Sequence, residues 1–197
     1  MLNDLGRVVV IGLREREDRG KRGVEIFTQH GVSPVIHYET EKDYNDLHRH
    51  YMKDFKQMLR TVKGANVVFF EDDFELVDGW QEVLDRAYRD LPQWWDMLYL
   101  GCNLTVDVKK ETDNLVRVMG GWLMHATILS PRFVDFILKE YDHNRIWIID
   151  EWYRQMAPMR KFYMTYPMIS YQRKDYSDFI GGYADYPIFE NKYYKRI

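Results

Sequence analysis

The stretch Asn66-Val67-Val68-Phe69-Phe70 is almost wholly apolar and runs without a break into three carboxylates, Glu71-Asp72-Asp73. A short apolar run of this kind reads as a buried strand. Carboxylates gathered where such a strand emerges repel one another and lose hydration. Their charge has to be met by a cation, a basic partner or water. Few folds can present that arrangement, so it is the feature around which the rest of the chain is read.

Upstream, Arg7-Val8-Val9-Val10-Ile11-Gly12-Leu13 has the pattern of a second buried strand. The charged stretch Arg14 to Arg22 follows, then an amphipathic segment from Gly23 to His30 that Gly31 stops, then a strand over Pro34 to Tyr38. Strand, helix and strand in this order predict a parallel βαβ unit, with ligands expected at the carboxyl ends of its strands. Leu47, Tyr51, Phe55 and Met58 recur at helical spacing and predict a helix over Asp43 to Val62. Further helices are predicted from Trp80 to Leu91, from Ser130 to about Tyr141, and from Asp150 to Met156. Ser130-Pro131 supplies a capping hydroxyl and a first-turn proline. Strands are expected over Trp95 to Leu100, Leu115 to Met119, Trp122 to Leu129 and Phe162 to Ile169. Asn103 to Asn114 reads as a loop or short hairpin, and Gln172 to Ile197 as loop that covers a site.

No linker or repeat divides the chain, and its 197 residues read as one domain over 1–197. The net charge of −3 gives no global attraction to nucleic acid, although local basic groups occur. A lone cysteine, Cys102, excludes an intrachain disulfide and a multi-cysteine metal site. Met1-Leu2-Asn3-Asp4 lacks the pattern of a secretory signal, and no apolar run approaches the roughly 18–20 residues of a membrane span. The expectation is a cytoplasmic protein, in the host cytoplasm if viral. With 15 Tyr, 10 Phe and 6 Trp, the chain has either an aromatic core or exposed rings that stack on sugars or bases, and the core is the commoner outcome.

In extended geometry Glu71 and Asp73 point to one side and Asp72 to the other. Glu71 and Asp73 are therefore the candidate ligands of a hard divalent cation, Mn²⁺ or Mg²⁺. Asp72 is left to meet a ribose or another neighbour. The competing reading is a solvated acidic turn; position at a strand end favours the site.

From this triplet outward the chain resembles glycosyltransferase family 25, the group of lipopolysaccharide and collagen galactosyltransferases. The resemblance covers about Arg7 to Tyr186 as short blocks in order. They are Val9 to Leu13 with Arg16 and Arg19; Val68 to Asp73; Trp95 to Gly101; His125 to Ser130; Ile149-Asp150-Glu151-Trp152; and Ser177-Asp178. Gly12 stands where the family has Asn, Thr127 where it has Tyr, and Leu47-His48-Arg49-His50 lacks the family's Cys and Ser.

The resemblance implies an α/β fold of GT-A type: a single Rossmann-like mixed sheet with helices on both faces. It implies a metal-dependent, inverting hexosyl- or pentosyltransferase using a UDP-sugar donor. The acceptor would be a glycan or lipopolysaccharide. Gly12, Leu13, Arg19, Asp72 and Asp178 are its implied donor contacts. Asp150 is its implied base, taking a proton from the acceptor hydroxyl.

Residue chemistry keeps other readings beside these. Asp150 follows the apolar, strand-like Ile146-Trp147-Ile148-Ile149, which would put it at a second strand end, and it also suits the cap of the helix that begins at Glu151. Arg16 and Arg19 suit a diphosphate or a solvated charged loop. His125 reads as a core histidine and Cys102 as a small packed residue. Lys53, Lys56, Arg60 and Lys63 form either a solvated helix face or a track for duplex DNA. The second alternative would make the chain a phage or viral enzyme that glycosylates hydroxymethylated bases. A third reading is a nucleotide-sugar-binding module without turnover.

Overall fold

The computed structural model describes residues 5–39, 47–143, 148–177 and 180–197. Its opening is a parallel unit made of β1 (Arg7–Leu13), α1 (Glu17–Thr28), β2 (Val35–Glu39), α2 (Leu47–Thr61) and β3 (Val67–Glu71). β1 lies between the other two strands and is parallel to both, with Val9 opposite Val35 on one side and Phe69 on the other. The apolar runs produce this because every residue from Val8 to Ile11 and from Val67 to Phe70 is buried.

Alternate residues of these strands enter two different cores. Val8, Val10, Val68 and Phe70 pack with Phe27 of α1 and with Trp80 and Leu84 of α3 (Trp80–Asp90). Val9, Ile11, Val67 and Phe69 pack with Phe55 and Met58 of α2, Phe133 of α4 (Pro131–Asp142) and Trp152 of α5 (Ile149–Met156). Helices therefore cover both faces of the sheet. Each fully buried Phe among these contributes roughly 1.5–3 kcal/mol of transfer free energy.

The sheet continues through β10 (Ala126–Leu129), β5 (Met97–Tyr99), β11 (Phe162–Thr165), β8 (Leu115–Arg117) and β7 (Lys109–Lys110). Its eight strands run in the order β2-β1-β3-β10-β5-β11-β8-β7. β10 is antiparallel to both of its neighbours, and β8 to both of its own, so the sheet is mixed. Three two-stranded pairings sit outside it: β4 (Phe74–Leu76) with β12 (Ser170–Gln172), β13 (Asp175–Ser177) with β14 (Gly182–Ala184), and β6 (Asn103–Leu104) with β9 (Gly121–Trp122). No helix among the described residues is long and apolar enough to cross a membrane.

Several predicted elements shift. α1 begins at Glu17, after a short 3-10 turn at Arg14–Arg16, rather than at Gly23. Its buried face starts with Arg19, Gly20 and Gly23, which carry no apolar signal. The glycines let the helix settle closely: a Cβ on Gly23 would stand 3.3 Å from the Phe74 ring. The expected strand Trp122 to Leu129 is broken, because Leu123 takes a left-handed φ of 76° between β9 and β10. The tail read as loop carries the last residue of β12, then β13, β14 and two 3-10 turns. α4 begins as predicted, with Ser130 Oγ accepting from Phe133 N–H and Pro131 in the first turn.

These connections determine where a ligand can enter. From β1 the chain crosses one face through α1 to reach β2, then returns over the opposite face through α2 to β3. Reversal of direction at β1/β3 opens a crevice outside the carboxyl ends of those two strands. Gly12, Leu13 and Glu71 are the residues at that edge.

Candidate functional site

β3 ends on Glu71, and Asp72 and Asp73 form the turn into β4. Glu71 and Asp73 turn the same way. Gln172 Nε2 stands 3.3 Å from Glu71 Oε2 and 3.3 Å from each Asp73 oxygen. Tyr51 Oη donates to the other Glu71 oxygen at 3.0 Å. Asp72 diverges toward β1, where it accepts the Leu13 N–H and lies 3.8 Å from Arg19 Nη1. A Cβ on Gly12 would fall 2.6 Å from Asp72 Oδ2, so only glycine admits this carboxylate against β1.

These acids are under-compensated. Burial pushes Glu71 well above the carboxylate range, and the charges of Asp73 and Asp150 push it further against the Tyr51 hydrogen bond. Asp72 is pushed up to about 7 by burial and then by Asp73, although Arg19, Arg16 and the Leu13 N–H oppose this. Burial also raises Asp73, with Gln172 and Arg19 pulling the other way. Positive charge is nearby but directed elsewhere.

The arginines face a strap formed by β13. Arg19 is only 9% exposed; its Nη2 lies 2.9 Å from Asp175 Oδ2 and donates to the Tyr176 carbonyl at 3.2 Å. Arg16 donates to the same carbonyl at 3.0 Å, and its guanidinium lies 5.5 Å from the centroid of the Tyr176 ring. Arg173 lies 2.9 Å from Asp175, while its own N–H donates to the Asp73 carbonyl at 2.8 Å. Burial works against the Asp175 charge, but the Tyr176 N–H, Arg173 and Arg19 outweigh it and hold this carboxyl below its ordinary range. Asp175 thus lodges as an internal anion between arginines.

Asp150 departs from its expected setting. The apolar segment before it falls partly on residues 144–147, outside the described residues; α5 begins at Ile149, and Asp150 sits in its first turn. Its side chain does not cap that helix, since the helix has no side-chain cap hydrogen bond. Its carboxylate instead accepts the N–H groups of Leu123 and Met124, while burial pushes it up to about 6. The left-handed turn at Leu123 brings these two successive donors to it. Asp150 is close enough for its charge to raise Glu71 in a water-poor corner.

A cavity of about 420 Å³ joins these groups and is lined by Leu13, Arg16, Arg19, Glu71, Asp72, Asp73 and Asp150. Gly12 lies directly beneath Asp72. Ser177 lines the wall, but Asp178 falls outside the described residues. Tyr51, Gln172, Arg173, Asp175, Tyr176 and Tyr186 complete it and were not foreseen as site residues. Burial raises the Tyr186 hydroxyl, and the charges of Asp150, Asp73 and Glu71 add to that, so this phenol, which lines the same cavity, feels all three acids.

His125 lies in the core, as expected, but it is not satisfied as a core histidine normally is: neither ring nitrogen has a hydrogen-bond partner among the described residues. It is fully buried, its carbonyl accepts the Glu71 N–H at 2.9 Å, and burial pushes the ring down to about 4, leaving it neutral. Cys102 is buried beside the Gly101 turn. On α2, Lys56 lies over the Tyr141 ring, and Lys63, past the end of that helix, pairs with Asp135 at 3.2 Å. Among the described residues, no group of three or more His, Cys, Asp or Glu is arranged to hold a metal ion.

Fold and site together describe a mixed α/β protein with an acid-and-arginine cleft at the carboxyl edge of its sheet. No family model matches the sequence, and no curated protein matches it. Among solved structures, the crystal structure of A197 from STIV is similar over 86% of each chain, with 13% sequence identity and a TM-score of 0.48.

Proposed function

We propose that this protein is a GT-A-type glycosyltransferase that moves a sugar from a UDP-sugar to an acceptor hydroxyl on a glycan or lipopolysaccharide, with inversion. One observation carries the reading: two convergent acids, a row of arginines and a separate third acid line the same cleft at the carboxyl ends of β1 and β3. The resemblance of the sequence blocks to glycosyltransferase family 25 supports it.

Glu71 and Asp73 suit a Mn²⁺ or Mg²⁺ ion. Their oxygens converge on the Gln172 amide nitrogen, a partial positive charge in the position a cation would take. Two carboxylates are enough for such an ion, which typically completes its shell with water and substrate phosphates instead of an all-protein cage. When bound, the metal neutralises charge on the departing diphosphate.

The remaining steps belong to the chain. Arg16 and Arg19 grip diphosphate oxygens through paired N–H donors. Asp72 and the Leu13 edge receive the nucleoside. Asp150 accepts the proton of the acceptor hydroxyl as that oxygen forms its bond to the anomeric carbon. The bond from that carbon to the diphosphate oxygen breaks on the opposite face, and its electron pair leaves with UDP. A carboxylate near 6 is basic enough for this and still ionised at neutral pH.

Incubation of the purified chain with a panel of UDP-sugars and Mn²⁺ tests the proposal. UDP release above background is expected, dependent on the metal and lost in Asp73→Ala. Tight UDP-sugar binding without release would make the protein a binding module. Transfer to hydroxymethylated duplex DNA with steep salt dependence would change the acceptor but not the chemistry.

A further inference from the structure

Trp94 is the more exposed tryptophan at 58%, but it stands away from the cavity; Trp122, at 37%, lines it. Exposed indoles are uncommon, because a Trp ring carries a large apolar area that normally buries. Trp122 closes β9, and the next two residues, Leu123 and Met124, are those whose N–H groups hold Asp150. One short turn therefore fixes both the ring and the third acid.

The wall around the ring is mixed in character. Ile148, 41% exposed, lines the cavity two residues before Asp150. From the next turn of α5, Arg154 brings its guanidinium 5.5 Å from the centroid of the Trp122 ring. Glu151 holds that guanidinium with two hydrogen bonds of 2.9 and 2.5 Å and also accepts from Gln155 at 2.9 Å. Arg154 thus stands against the ring, beside the residues that line the cavity and not among them. An apolar plate and a carboxylate line one cavity, with a polar pair beside the plate.

A pyranose needs this combination. Its C–H face packs on an aromatic ring, and its girdle of hydroxyls requires donors and acceptors at the edge. An alkyl chain would leave the Glu151–Arg154–Gln155 rim unused, and an unmodified nucleobase would bring no hydroxyl to Asp150.

We propose that Trp122, with Ile148 and the Arg154–Glu151 pair, forms the acceptor subsite, where a pyranoside stacks on the indole and directs one hydroxyl to Asp150. The inference rests on the transferase reading for its placement opposite the donor, but its test does not require turnover.

Methyl β-glucopyranoside, methyl β-galactopyranoside and methyl α-mannopyranoside are offered to the native chain, and binding is followed by saturation-transfer NMR and tryptophan emission. At least one glycoside receives saturation and quenches emission. Trp122→Ala reduces the transfer about fivefold, as expected for one lost stacking contact, while Trp122→Phe retains most of it but loses the quench. Thermal unfolding of each variant reports whether it folds. If Trp122→Ala does not, the quench lost in Trp122→Phe alone decides the matter. Equal transfer to native protein and Trp122→Ala, undiminished quenching in Trp122→Phe, or no glycoside binding to the native chain would each overturn the subsite. UDP with Mn²⁺ is titrated separately: its failure to bind would remove the donor reading while leaving a positive glycoside result intact.

Discussion

Asp96 and Asp72 are both aspartates tucked against the same sheet, one just before β5 begins and the other just after β3 ends. Asp96 is 1% exposed and fully engaged: Arg132 Nη2 lies 2.7 Å from one oxygen, and Lys161 N–H donates to the other at 2.9 Å. Its own N–H and carbonyl tie Lys161 and Ser130 to the same point. Asp72 shares its burial but faces a second acid at Asp73 and an arginine only at 3.8 Å, and it is pushed up to about 7. One edge of the sheet uses a carboxylate to fasten strands and a helix together. The opposite edge gathers carboxylates and leaves their demand for positive charge unmet. That contrast distinguishes scaffold from site in a molecule whose acids look alike in sequence.

The largest expected effect lies on the scaffold side. Asp96→Ala should cost about 3 kcal/mol in urea unfolding, because it strands Arg132 and the Lys161 N–H. Asp73→Ala, which removes a repelling acid, should change stability by less than about 1 kcal/mol. Equal losses in the two variants would erase the distinction.

Next comes turnover. Asp150→Asn should lower kcat by about a hundredfold or more, with little change in the KM for donor. In the native chain, activity should rise with pH through about 6 and then level off, because Asp150 must be ionised to accept a proton. A flat profile, or a limb that survives in Asp150→Asn, would remove Asp150 from this role.

A smaller effect separates the internal anion from a bound one. Arg19→Ala should weaken UDP binding about tenfold, as expected for a lost charged hydrogen bond. Asp175→Asn should strengthen UDP binding about threefold, since it releases Arg19 from its 2.9 Å partner. Calorimetric titration measures both, and weaker binding in Asp175→Asn would show that the strap supports the ligand instead of competing with it.

The smallest effect is on stability against pH. Asp72 has a folded value of about 7 against an ordinary 3.8, so the folded state holds a proton that the unfolded state has released between those limits. Stability should therefore be greatest on the acid side and fall as pH rises through that window, by about 1 kcal/mol after other groups are allowed for. Asp72→Asn should flatten the slope; an unchanged slope would contradict the raised Asp72.

The opening strands and the α4 cap were legible because apolar runs and a Ser-Pro start express local physics. So was the divergence of Asp72 from Glu71 and Asp73, which follows from strand alternation. The start of α1 was not, since its inward face is an arginine and two glycines. The apolar run before Asp150 suggested a strand end, yet Asp150 stands in a helical first turn, an ambiguity that short apolar segments carry inherently. Tyr51 sat at core spacing and gave no sign of reaching Glu71. Gln172 reaches the acids only because β12 pairs with β4 across nearly a hundred residues, and no local signal encodes that pairing.

The most direct test is calorimetric titration of Mn²⁺ with UDP into the native chain near neutral pH, repeated in buffers of different ionisation enthalpy. Acids held partly protonated, first by burial and then by neighbouring acids, must release protons when a cation arrives. The account predicts metal-dependent UDP binding with net proton release, both lost in a Glu71→Gln, Asp73→Asn double variant. UDP binding of equal strength in EDTA, with no proton released, would contradict it.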